Sequence, residues 1–191
     1  MVASGGKYTR LAMALHWIVA ALIVANVALA WTWKYVPDDA VRPLIDTHKS
    51  IGITVLGLAI LRVLWRAAHP PPPLPRSYSS FERAGAHAAH AALYVLIFAL
   101  PITGWLHDSA WRAAPTHPMY WFGLFYWPRF GFLQGYPAAE QDHLHDVLGL
   151  VHIYFGYVLY ALFTLHVAAA LKHQFVDRDA ELQRMLPWGR V

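Results

Sequence analysis

Imidazole is the functional group this sequence offers most often. Twelve residues are histidine, one more than the total of Asp and Glu. An imidazole nitrogen can ligate a metal or carry a proton near neutral pH. Six histidines, His16, His48, His87, His90, His152 and His166, fall inside or at the mouths of long stretches free of acidic and basic side chains. Buried in hydrocarbon, such groups need partners. One intramembrane histidine is explained by a hydrogen bond, whereas six in four segments are better explained by a shared cofactor. His69, His107, His117, His143 and His145 lie in connections or at their edges and are expected to be solvated or interfacial, with His173 at the surface or headgroups.

His152 and His166 are 14 residues apart. On a helix they share a face to within roughly 40° and stand about 21 Å apart along its axis. That is too far for one metal ion and suits two stacked sites. Other chemistries have less to rest on. Cysteine is absent, which excludes disulfides, thiolate metal sites and cysteine nucleophiles. There is no HExxH motif, nucleophile elbow or phosphate loop. Asp142-His143-Leu144-His145-Asp146 has the composition of a metal loop but is read as a solvated segment.

The elements that must position these histidines are membrane spans. Apolar residues make up 58% of the 191-residue chain and charged residues 14%, and the mean hydropathy is +0.35. These values argue against a soluble globule. Spans are predicted at about 11–33, 48–67, 84–106 and 147–171 in a single membrane domain, 1–191, with an outer loop at 107–146. Arg62 and Arg66 end the second span, where long side chains reach the headgroups. Trp17, Trp31, Trp33, Trp65 and Trp105 lie near span ends, as interfacial tryptophans do. Lys7, Arg10, Arg62, Arg66, Arg76, Arg83, Lys172, Arg178, Arg184 and Arg190 fall on one side, against Lys34, Arg42, Lys49, Arg112 and Arg129 on the other. The richer side is expected to be cytoplasmic, with both termini inside. The proline run at 70–73 is a stiff inner linker. The aromatic run 119–128 is too short to span and is expected on the outer interface or folded over the bundle end.

Depth then pairs the histidines. His48 and His152 fall near the outer face, His16 and His166 near the inner. Two imidazoles from facing helices suit a b-type haem, which needs two axial nitrogens and an apolar slot. Gly52, Gly57, Gly104, Gly149 and Gly156 supply small surface for a flat ring or for helix packing. His87 and His90 open the third span on the inner side. They compete as ligands, or bond a propionate or a quinone.

With these residues in place, the chain resembles the bacterial cytochrome b561 family. The resemblance rests on an ordered set covering nearly the whole chain: Tyr8-Thr9-Arg10-Leu11 before Leu15-His16-Trp17; Arg42 to Ile45 before His48-Lys49-Ser50-Ile51-Gly52; and Leu61-Arg62-Val63-Leu64-Trp65-Arg66 before the proline turn. It continues with His87-Ala88-Ala89-His90, Tyr94, Ala99-Leu100-Pro101-Ile102-Thr103-Gly104, His152, and Leu165-His166 through Lys172-His173. The resemblance implies an all-α membrane protein, a four-transmembrane-helix bundle binding two b-type haems (two haem b). Its axial ligands would be His16, His48, His152 and His166. It also implies a multi-pass protein of the bacterial inner (plasma) membrane that exchanges electrons with the quinone pool, with ubiquinone or menaquinone as partner. One activity of the family resembles superoxide:ubiquinone oxidoreduction at the outer face.

Two further readings remain at this point. One is a membrane anchor cytochrome serving a periplasmic redox protein. The other is a His-rich metal or proton transporter, although neither a repeat nor a set of broken helices is visible. Membrane lipid is an implied partner and nucleic acid is not. For an anionic donor such as superoxide, the outer segments hold five basic and seven acidic residues. Lys49 and Arg42, near His48, would have to provide a local positive mouth. Lys49 with His87 and His90 completes the set expected around the haems or a quinone.

Overall fold

The computed structural model describes residues 6–75 and 77–189. Arg76 and Arg190, counted above on the inner side, lie outside the described residues. Four long helices dominate: α1 (Arg10–Thr32), α2 (Asp38–Ala68), α3 (Ser80–Ala110) and α4 (Ala138–Phe175), followed by the short α5 (Glu181–Arg184). All four are long and apolar enough to cross a membrane. The Oγ1 of Thr9 accepts from Ala12 N to cap α1. Asp38 and Asp39 in the first turn of α2 complement its dipole. Ser79 and Glu82 close a capping box at the start of α3. Each of the last three helices outruns the charge-free stretch that predicts it. Their polar ends continue the helix beyond the hydrocarbon, and capping and dipole effects act there whatever the hydropathy.

α1 packs on α2, α2 on α3 and α3 on α4, while α1 and α4 face each other without close backbone packing. Val19, Ile51 and Val55, with Leu22, Ile23, Leu29 and Leu58, fill the α1–α2 seam. Many other apolar side chains of the spans are exposed, among them Leu64, Val95 and Tyr154, as expected when lipid is the solvent.

The α3–α4 connection folds over the bundle end instead of lying flat. Strands β1 (Tyr120–Trp121) and β2 (Phe125–Tyr126) form a tight hairpin. Its turn needs positive φ at two successive residues, Phe122 (48°) and Gly123 (72°). The hairpin is pinned to α2. Phe122 N donates to Ser50 Oγ at 3.0 Å, and Trp121 Nε1 donates to Thr54 Oγ1 at 3.1 Å. Beneath it lies a buried ion cluster. Asp108 bonds Lys49 and Arg129, each at 2.7 Å, with side-chain exposures of 8%, 13% and 7%. The cluster ties α2, α3 and the cap together.

At the other end the N-terminal segment, the proline linker and the C-terminal tail meet, as their shared sidedness requires. Arg184 donates to Glu181, Pro73 O and Gly6 O. Lys7 reaches Gly189 O and Trp17 reaches Met185 O. Beside them Lys172 holds the Asp177 carboxyl below its usual range.

Removing one partner of a buried ion pair strands the others without compensation. Asp108→Ala should therefore destabilise the fold by about 3–5 kcal/mol. Arg112→Ala should cost about 0–1 kcal/mol, because the Arg112–Asp142 pair is 63% and 51% exposed. Circular dichroism during detergent-to-SDS unfolding measures both, and equal losses would show that the cluster does not lock the cap.

Candidate functional site

Imidazole rings face α4 at two levels, from α2 at one and from α1 at the other. At the outer level His48 of α2 faces His152 of α4, with ring centres 6.1 Å apart. At the inner level His16 of α1 faces His166 of α4 at 6.3 Å. With metal–imidazole bonds of about 2.0 Å, two rings on opposite sides of one iron have centres roughly 6 Å apart. Both pairs fit that spacing, in an apolar bundle interior open between the two helices.

The outer pair is oriented for ligation. His48 Nδ1–H donates to Asn26 O at 3.1 Å. His152 Nδ1–H is shared between Leu100 O at 3.1 Å and Thr103 Oγ1 at 3.2 Å. These bonds fix the tautomer and leave each Nε2 free, the usual arrangement around a metal-bound histidine. Gly104 is small for the sake of His152, since a Cβ there would meet His152 Cε1 at 3.1 Å. Gly149 plays the same part for His107 (2.9 Å), whereas a Cβ on Gly57 would meet nothing within 4 Å. Of the glycines expected to line a flat ring, two therefore make room for imidazoles.

The inner pair differs. His16 Nδ1 lies 2.9 Å from Arg62 Nη1, a donor. His90 is near, its ring centre 5.4 Å from that of His166. His87 is exposed on α3. Lys49 adjoins His48 but is committed to Asp108 and Asp46, and Arg42 is paired with Asp46. The positive mouth expected from these two cations is thus largely neutralised.

Two histidines at the edges of the outer connection are half-buried against each other. His107 and His145 stack at 3.9 Å, and each donates from Nδ1 to the other's backbone carbonyl, clasping α3 to α4. Asp142 pairs with Arg112 at the surface. The metal-capable carboxylate–histidine group among the described residues is Glu82, His173 and Asp177, and the Lys172 ammonium already bonds both carboxylates. Sequence reasoning missed Arg62, Asn26 and Thr103 as partners of these rings, and Tyr94 as the partner of Arg62. Only the placement of Arg62 four residues before Arg66 hinted at a shared basic face.

Residues 7–188 match the family model described as prokaryotic cytochrome b561. The chain belongs to the prokaryotic cytochrome b561 family. It is 36% identical to cytochrome b561 homolog 2 of Escherichia coli (strain K12), over 94% of this chain and 91% of that one. It is 31% identical to the probable superoxide oxidase CybB of Yersinia pestis, over 96% and 98%. It is 25% identical to cytochrome b562 of Cereibacter sphaeroides, over 94% of each. Membership makes this cytochrome a multi-pass, four-helix membrane bundle that binds b-type haem and transfers electrons across the membrane, and the transporter reading gives way to it.

A β-branched side chain at 104 would push the His152 ring off its carbonyl. Gly104→Val should lower haem content selectively, with helix content unchanged. The pyridine haemochrome assay, read beside circular dichroism, checks this. Full haem content in the variant would show that the His152 ring does not need its present position.

Proposed function

We propose that this cytochrome carries two b haems, one between His48 and His152 and one between His16 and His166. In this reading it passes electrons from a donor at the outer face to the membrane quinone pool. Both termini lie on the cytoplasmic side of the bacterial inner membrane. The observation that carries the reading is the pair of imidazole couples with the spacing of two iron ligands, both built on α4 and separated by about 21 Å along it. A b haem supplies reversible one-electron chemistry. The four histidines would hold the haems, the apolar walls of α1, α2 and α4 would keep water away, and Asn26, Leu100 and Thr103 orient the outer imidazoles.

The likeness to CybB supports superoxide as the outer donor. Each superoxide gives up one electron and leaves as dioxygen. Two such electrons and two protons convert a quinone to its quinol. His90, half-buried beside His166, is suited to bond a quinone carbonyl and hand on a proton; it and the exposed His87 are the inner candidates for that role. A second reading is favoured by the cap, whose exposed Tyr120, Phe122, Leu124, Phe125 and Tyr126 would suit docking of a periplasmic redox protein.

The purified protein should contain two haems per chain. His48→Ala and His152→Ala should each lose the same one, and His16→Ala and His166→Ala the other. Retention of both haems in His166→Ala would overturn the pairing. In quinone-loaded proteoliposomes, pulsed superoxide should reduce quinone in a dismutase-sensitive way, and His90→Ala should keep both haems but slow that step. A rate no faster than in empty liposomes would remove superoxide and leave the docked donor.

A further inference from the structure

The inner end of the bundle holds two arginines that no carboxylate among the described residues answers. Arg62 and Arg66, both half-buried at the end of α2, lean on one tyrosine, their guanidinium carbons each 5.5 Å from the Tyr94 ring centre. Arg62 Nε donates to Tyr94 Oη at 3.1 Å, and its Nη1 donates to His16 Nδ1. Neither guanidinium has a carboxylate partner among the described residues. The inner acids are engaged elsewhere: Glu82 and Asp177 with Lys172, Asp179 with Ser77, and Glu181 with Arg184. The forked, planar guanidinium is suited to carboxylate.

The contact with His16 sharpens the point. A neutral histidine that ligates a metal through Nε2 carries its proton on Nδ1. Two N–H groups cannot face each other at hydrogen-bond distance. Filling the inner site therefore forces Arg62 off His16, and a buried cation displaced in this way needs an anion close by. The outer histidines meet no such conflict, because their Nδ1 atoms face carbonyls.

Resting on the assignment of His16 and His166 as ligands, we propose that Arg62, Arg66 and Tyr94 form the carboxylate-binding site for the propionates of the inner haem. Arg62 is the moving part. With His16 holding a haem, the Arg62 guanidinium would leave His16 Nδ1 for a propionate. Ligation at His16 and capture of the carboxylate are thereby coupled, so that a ring entering with its carboxylates toward α2 is favoured over the flipped one.

The test uses full-length chain carrying His152→Ala, in which the inner pair alone remains, stripped of haem and titrated with haemin or haemin dimethyl ester. Haemin should bind roughly 10- to 100-fold more tightly than the ester, as expected for charge-assisted hydrogen bonds. Adding Arg62→Gln and Arg66→Gln should abolish that preference, while Arg62→Lys should restore part of it. A readout from the loaded protein runs beside it: the same Gln substitutions, without His152→Ala, should speed transfer of one of the two haems to apomyoglobin and leave the other unchanged. Equal binding of acid and ester with one haemin still bound would overturn the proposal. If the Gln variant also lost co-purifying phosphatidylglycerol by native mass spectrometry, the anion held there would be a lipid phosphate instead. Binding of no haemin, or of two, by the His152→Ala chain would instead refute the ligand pairing itself.

Discussion

The structure is organised around a polar requirement in an apolar solvent. Imidazoles in hydrocarbon must find partners, and here they find them across a seam that the helices leave open. α1 and α4 do not close on each other as α1 and α2 do. The rings of His16, His48, His152 and His166 stand in that seam at two depths. A bundle that closed it with leucine would gain packing and lose the space for a planar cofactor. α3 takes the compensating role, packing on both α2 and α4 and so holding the two walls at a fixed distance.

The two ends of the seam are finished differently. The outer end is locked by groups that satisfy one another within the chain: the Lys49–Asp108–Arg129 cluster, the Ser50 hydroxyl that receives the hairpin, and the reciprocal His107–His145 clasp. Burial of Asp108 is tolerated because two cations answer it. The inner end leaves cations unanswered, with Arg62 and Arg66 stacked on Tyr94. A self-satisfied end makes a rigid cap, whereas an end with surplus positive charge is prepared for an anionic group from outside the chain. The same asymmetry sets the electronic surroundings of the proposed ligands, carbonyl acceptors around the outer pair and a guanidinium beside His16.

Much of this was legible in the sequence because the physics behind it is one-dimensional. Hydropathy over roughly 20 residues reports a span, and Lys and Arg counts report sidedness. The 14-residue step from His152 to His166 reports two rings on one face at two depths, because helix geometry is regular. The order of motifs sufficed for the family. The His48–His152 and His16–His166 couples follow from depth alone, since antiparallel helices bring matching depths together. Tertiary structure decided what depends on direction as well as depth. It turned His87 outward and His90 inward although they sit three residues apart. It stacked His107 on His145 in a clasp, and it spent Lys49 on an aspartate 59 positions away. It also set Arg62 against His16 on another helix. Side-chain partners between helices are set by rotation about each axis and by the path of the connecting cap, and those arise only when all four helices pack at once.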